Sequence, residues 1–565
     1  MNVKRIAIIG AGPAGAAGLD SFLSHGFTDI RVFERRPLPG GTWVGDTELG
    51  FASNTGNTVP PIDDEVGDVP VEIPPEAASA TEESPYVRKA TIKARRFDEP
   101  TLYSQLETNI LPELMSFKRR SMPKNLLSNS VSKYENEDVF RSYKTIQEYV
   151  GEFFTGENEK YVSYNTSVEQ AEQPDGPGTK WVLTLKRQNG QNNNEEWWTE
   201  EFDGVYAASG RYNVPRVSHI NGLDEVAKAV PQGVIEHTKW FRGAESYKGK
   251  KVLIVGASVS TTDIIQLVKE TAQLPLYLSV RHVAPAYRAG FEQPFVDGRG
   301  SITSVSLNES GKSIDVIFED GSTVTNIEKL VLATGYNFSY PYLEKYTQKF
   351  GGIVRNNVLH NVFLTTWWSE DPTLVLPGVF TEGINFRCME TQAMATAALW
   401  SGFPGSGFPS KEICVQWEAD RRKFKTPAQW HFWFPHFDNI IEAIAKVGGG
   451  YKALCEFAGI TSSDLKTFVP VYEKGIAFKC LFFTKVANEY MLKHPKTLQQ
   501  YNQTVALLKT KTVEPDPTAA EADHELFKRL FVNWSGGRGE PKIPSKIQTT
   551  ELSEKTPVVT EVAVK

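Results

Sequence analysis

The sequence predicts an α/β chain in which a doubly wound, dinucleotide-binding unit begins twice, followed by a mainly helical C-terminal stretch. Three observations predict this. Gly10-Ala11-Gly12-Pro13-Ala14-Gly15 follows at once on the β-branched run VKRIAII at 3–9. A second strand–glycine–helix start, Gly256-Ala257-Ser258-Val259-Ser260-Thr261, follows KVLIV at 251–255. From about Ser410 the text turns mixed and mostly helical to about residue 545. Short apolar runs ending in glycine read as buried parallel strands. The Pro-free run 14–25 is a helix, and 30–33 a second strand, so the chain opens on a βαβ unit.

The other segments follow from local chemistry. The stretch from Val59 to Glu83 carries eight Asp or Glu and no Lys or Arg. Pro-rich and aromatic-poor, the region 54–87 is expected to be a mobile surface insertion. Residues 188–196, with Asn192, Asn193 and Asn194, read as a long hairpin loop between strand-like runs at 181–185 and 200–207. Residues 314–318 and 323–324 flank Asp320-Gly321 as a second hairpin, and 329–333 is a further buried strand. The polar tail 546–565 is expected to be disordered.

Composition narrows the function. In 565 residues, Lys and Arg number 61 and Asp and Glu 68, a formal charge of −7, so no broad nucleic-acid surface is expected. The four cysteines, Cys388, Cys414, Cys455 and Cys480, form no C-x-x-C pair. That signals neither a zinc site nor a dithiol motif, and a reduced, cytoplasmic compartment is expected. No apolar run reaches the ~18 residues of a membrane span. The strand expected at 3–9 leaves little room before it, so no signal peptide is expected.

The first glycine motif has the residues that dinucleotide binding requires. Gly10 permits the tight turn, Gly12 the approach of a pyrophosphate, Gly15 close helix–strand packing, while Pro13 and Ala14 open the helix whose amides face the phosphates. Glu34, nineteen residues after Gly15 at the end of the next strand, is the acid that accepts from a ribose diol. In the second motif Ser258 and Thr261 replace two glycines. Its next strand ends in Arg281-His282, where a guanidinium would pair with a 2′-phosphate, favouring NADPH over NADH. Two such sites in one chain suit a flavoprotein, with FAD in the first and a reducing nicotinamide in the second.

Further residues carry a family resemblance. Glu34-Arg35, followed by Gly40-Gly41-Thr42-Trp43, is similar to E-R-x-x-x-x-G-G-x-W. Tyr103, Leu106, Thr108 and Asn109 match Y-x-x-L-x-T-N. Gly233, His237 and Phe241 match F-x-G-x-x-x-H-x-x-x-[YF], with Pro231 in place of the usual Phe. Ala333-Thr334-Gly335-Tyr336 and Tyr340-Pro341-Tyr342-Leu343 resemble A-T-G-Y…F-P-F-L. In this order, over about 1–400, the chain resembles the class B flavin-containing monooxygenases, heteroatom-oxygenating branch.

The resemblance implies FAD contacts at Arg35, Gly41, Thr42 and Trp43, at the Val168 backbone beside the adenine, and at Gln392 at a helix start near the flavin. It implies NADPH contacts at Gly256, Ser258 and Ser260. Asn109 would stand at the flavin edge as the catalytic amide, and His237 would organise the linker between the cofactor domains. The implied chemistry is reduction of FAD by NADPH, formation of a C4a-hydroperoxyflavin with O2, and attack on it by a soft sulfur or nitrogen nucleophile. A Baeyer–Villiger monooxygenase acting on ketones usually has Trp at the position of Phe241 and a Y-P-G soon after G-G-x-W; neither is present. A non-enzymatic flavin redox sensor remains an alternative.

The expected domains are FAD-binding at 1–212 and 325–410, NADPH-binding at 213–324, a helical extension at 411–545 and a tail at 546–565. Trp430, Phe432, Trp433, Phe434 and Phe437 read as a packing surface or a contact in a homo-oligomer, with a substrate-channel wall as the alternative. No metal site is expected.

Overall fold

The computed structural model describes residues 1, 3–49, 68, 71–90, 97–108, 115–117, 120–123, 141–189, 193–281, 291, 293–379, 385–402 and 408–423. Asn109, residues 54–67 of the acidic stretch, the aromatic patch 430–437, the extension beyond 423 and the tail lie outside the described residues.

The first glycine motif follows an interior strand of a seven-stranded sheet among the described residues. Arg5–Ile9 runs parallel to Asp29–Phe33 on one side and to Gly204–Tyr206 on the other. Leu374–Val375 continues the sheet beyond Gly204–Tyr206, so the sheet is completed by strands from far along the chain. Ile6, Ala7 and Ile8 are fully buried, because both faces of this sheet are covered. One cover is the helix Pro13–Ser24 packed on Asn385–Trp400, where the Phe22 and Trp400 rings stack 5.3 Å apart.

The second motif repeats the arrangement. Lys251–Val255 lies between Gln273–Ser279 and Lys329–Leu332, all parallel, in a five-stranded sheet among the described residues. Lys329–Leu332 was expected in the second part of the first domain. It belongs to the inserted one, because a central parallel strand needs a neighbour on each side and this is the one it takes. The boundary is marked by the antiparallel pair Val214–Pro215 and Tyr336–Asn337. The chain enters the inserted domain along one of these strands and leaves along the other.

The second half of the acidic stretch is packed rather than mobile. Tyr86–Lys89 pairs antiparallel with Asn194–Phe202 and caps the edge of a four-stranded sheet. Glu82 bonds Arg31 and Arg187 at 3.0 and 3.2 Å. Glu82 is a partner for basic side chains on two strands, which composition alone hides. The hairpin strands are Trp181–Asn189 and Asn194–Phe202, longer than expected.

Helix Lys411–Arg421 is joined to the core of the first domain. Trp417 is fully buried against Phe363, with ring centroids 5.4 Å apart, and Glu418 accepts from the Asn361 amide at 2.6 Å. Among the described residues no helix is long and apolar enough to cross a membrane.

Candidate functional site

The two glycine turns are built alike. The Gly10 amide donates to Phe33 O at 2.8 Å, and the Gly256 amide to Ser279 O at 3.0 Å. Gly12 is the N-cap of Pro13–Ser24 and Ser258 the N-cap of Val259–Val268, and no side chain caps either helix. First-turn amides and the positive end of the dipole therefore face whatever anion lies there.

The third glycine position shows how the second motif tolerates its changes. A Cβ on Gly15 would come within 2.0 Å of Gly10 O. At the matching place Thr261 is fully buried and its hydroxyl donates to Gly256 O at 2.7 Å. The clash becomes a hydrogen bond, and the turn survives without the glycine.

The first site fits a dinucleotide. Gly12 and Gly41 approach backbone to backbone, so a Cβ on Gly12 would lie 3.3 Å from Gly41 Cα and one on Gly41 would lie 2.7 Å from Gly12 Cα. This leaves a face without side chains, over which Gly41–Trp43 forms a short 3₁₀ turn. Thr42 is hydrogen-bonded to Thr101, hydroxyl to hydroxyl, at 3.2 Å. Trp43 packs on the first core. Glu34 is buried, accepting from the Ala11 and Arg36 amides at 2.8 and 2.9 Å. A carboxylate has about four lone-pair positions, so capacity remains for a ribose diol. Arg35 pairs with Asp98 at 3.1 Å and donates to Asn213 at 3.1 Å. Val168 is buried on Thr166–Glu172, next to an irregularity in the pairing before Gln170. That strand enters from Glu34, whose carbonyl accepts from the Thr166 amide.

Two residues sit differently from expectation. Phe33 and Ser279 are equivalent by their bonds to the glycine turns, so Val280, not Arg281, matches Glu34. Arg281 is exposed one residue further on, the position of Arg35 in the first site. Gln392 lies in the middle of Asn385–Trp400, not at its start. It is fully buried, accepts from the Gly378 amide at 2.9 Å, and donates to Thr365 O and Thr366 Oγ1 at 3.2 and 2.9 Å. Its amide shapes the site's wall. Ser260 is in the first turn of the second helix. Thr108, just before Asn109, exchanges hydrogen bonds with Arg141: its amide donates at 2.8 Å and its hydroxyl accepts at 2.9 Å.

The identifier segment, 231–241 with the F-x-G-x-x-x-H-x-x-x-[YF] pattern, is a junction that spacing could not show. His237 is fully buried; Nδ1 accepts from the Lys239 amide and Nε2 lies 2.9 Å from Gly335 O. Burial holds its imidazole down to about 3, so it is neutral and Nε2 carries the proton. Lys239, also fully buried, donates to Phe97 O and Glu99 O at 3.1 and 2.7 Å. Burial lowers its ammonium to about 7, against the pull of Glu99. Arg242 grips Asp46 with two nitrogens and donates to Pro100 O at 2.8 Å. Sequence reading passed over Lys239 and Arg242, and their spacing from His237 was the available signal. Among the described residues no cluster of three His, Cys, Asp or Glu could hold a metal.

The profile of the family described as FMO-like: Flavin-binding monooxygenase-like matches residues 299–430. Flavin-containing monooxygenase iboF of Amanita muscaria is 28% identical over 74% of this chain and 82% of its own. Senecionine N-oxygenase of Tyria jacobaeae is 25% identical over 83% of this chain and 89% of its own. S-allyl-L-cysteine S-oxygenase from Allium sativum shares the fold, with a TM-score of 0.52 and 21% identity over 89% of this chain and 98% of that one. Likeness over most of the length of these relatives leads to one conclusion: the chain is similar to the flavin-containing monooxygenases and is an FAD-containing, NADPH-dependent monooxygenase.

Proposed function

We propose that the chain transfers one oxygen atom from O2 to a soft sulfur or nitrogen nucleophile. The observation that carries this reading is the likeness, over 83% of the chain, to a relative named as an N-oxygenase. Phe241 in the identifier, in place of the Trp usual in ketone-oxygenating relatives, supports it. When bound, FAD supplies the redox chemistry, taking hydride from NADPH and activating O2.

The chain's own residues bind and orient. Gly10, Gly12 and Gly15 keep Cβ atoms out of the turn that takes the FAD pyrophosphate, Pro13 and Ala14 open the helix whose amides face it, and Glu34 receives the ribose. Arg35, Gly41, Thr42 and Trp43 cover the dinucleotide, and Val168 offers backbone to the adenine. Gly256, Ser258 and Ser260 do for NADPH what the first motif does for FAD, with Arg281 at its 2′-phosphate. Gln392 holds the wall on which Gly378 approaches Ala14. Asn109 presents an amide that both donates and accepts at the flavin edge. With His237 neutral and bonded on both nitrogens, the junction contributes position and water exclusion rather than proton transfer.

The test is a substrate screen on purified, yellow holoenzyme. Thioethers, thiols and amines are expected to stimulate NADPH oxidation, with one atom of 18O from labelled O2 in the product. Stimulation by ketones alone, yielding esters, would replace this reading with the Baeyer–Villiger one. Steady silence towards every class would favour a redox sensor.

A further inference from the structure

Segment 97–108 runs between the two dinucleotide sites and is held at three places. Its first four carbonyls each accept from a cation. Phe97 O and Glu99 O take Lys239, Asp98 O takes Arg36 at 3.2 Å, and Pro100 O takes Arg242. At its far end Thr108 is bonded to Arg141. Between them Tyr103 donates its hydroxyl to Asp263 Oδ2 at 2.7 Å, with its ring edge-on to Phe241 at 5.2 Å. Asp263 lies on Val259–Val268, the helix whose start is the second glycine motif.

We propose that Tyr103 and Asp263 are positioning residues that couple occupancy of the NADPH site to the placement of segment 97–108. The inference rests on the reading of Gly256–Ser260 as that site. A dinucleotide held at the helix start restrains the helix, and a charge-assisted hydrogen bond passes the restraint to the segment. Linkage makes the effect reciprocal: a segment held by Asp263 lowers the ordering cost of binding the dinucleotide. The cationic clamp ties one end of the segment to Arg36 of the first domain and to Lys239 and Arg242 of the inserted one, and Thr108 ties the other end to Arg141 of the first domain, so movement of the helix is felt between Tyr103 and Thr108.

The test uses FAD-loaded protein and NADP+ as the probe, with two readouts: the NADP+ dissociation constant and amide hydrogen exchange in peptides spanning 97–108. In the parent protein, saturating NADP+ is expected to slow exchange there. Tyr103→Phe keeps the ring on Phe241 and loses the hydroxyl; Asp263→Ala loses the acceptor. Each is expected to bind NADP+ roughly ten-fold more weakly, the order of a hydrogen bond to a charged group, and to show no slowing even at saturation. Asp263→Asn keeps an acceptor oxygen without the charge and should retain part of both effects. The double variant Tyr103→Phe/Asp263→Ala should be no worse than either single one. Unchanged NADP+ affinity and unchanged slowing in Tyr103→Phe would overturn the proposal and leave the pair as packing. Asp263→Asn behaving like Asp263→Ala would also overturn it. A parent protein that holds FAD but binds no NADP+ would instead overturn the assignment of the second site, and the pair's role with it.

Discussion

A side chain at Gly12 would crowd the site, since its Cβ would lie 3.3 Å from the Gly41 backbone, tighter than ordinary contact, and on the face read as that of the pyrophosphate. Gly12→Val is expected to purify without colour, and absorbance of the bound flavin against protein checks it; a full complement of FAD would contradict the assignment. His237 makes a pH prediction with a definite sign. Its folded value of about 3 is below the ordinary 6.5, so between those values the unfolded chain takes a proton that the folded one refuses. Stability is therefore lost as pH falls from 6.5 towards 3, by about 2 kcal/mol at pH 5. His237→Gln removes this contribution, and its Tm should fall less than the parent's between pH 7.5 and 5. The family resemblance pointed to a histidine that organises the linker. Its tautomer came only from the contact with Gly335, nearly a hundred residues away in sequence.

Among the elements, helix Asn385–Trp400 shows how a wall is held. Leu364 and Thr365 adopt φ of 48° and 47°, a left-handed conformation that costs a side-chain-bearing residue energy. Gln392 satisfies the carbonyl and hydroxyl of that turn, together with the Gly378 amide. Gln392→Leu leaves those buried groups without this partner, at a cost of about 3 kcal/mol or more. A Tm lower by roughly 5–10 °C is expected, with FAD released more readily because Gly378 packs on Ala14. Differential scanning fluorimetry and flavin release measure both. Sequence reading placed Gln392 by resemblance and misjudged its depth in the helix, since an alanine-rich run gives no sign of which turn a residue occupies. The glycine turns were legible because they are local: strand, turn and helix adjoin in sequence. The Lys239 and Arg242 clamp was not, because the carbonyls it holds lie some 140 residues earlier.

For the whole molecule, the same division between local and distant explains the domain borders. Both sheets were read from their glycine-bearing strands, while the strand that completes each one arrives after a long excursion. Lys329–Leu332 was therefore assigned to the wrong side of a border that the pair at 214–215 and 336–337 fixes. Residues 411–421 were read as the start of a helical extension packed on the FAD domain or on a second subunit, and Trp417 is a core residue of the first domain. A chain stopped after Ser410 is expected to melt well below one stopped after Lys423, because Phe363 loses the Trp417 ring packed on it. Equal melting temperatures would show that this helix is not part of the core.

The two crossing strands also bear on the order of assembly. Closing the host sheet around an unstructured insert of about 120 residues carries a loop entropy that grows with the logarithm of length, roughly 4 kcal/mol. An insert already folded presents Val214 and Asn337 side by side. The same closure then resembles that of a hairpin a few residues long, about 3 kcal/mol cheaper. The insert thus acts as an internal template for its host, and a lesion confined to its core would slow the folding of a domain in which that lesion makes no contact.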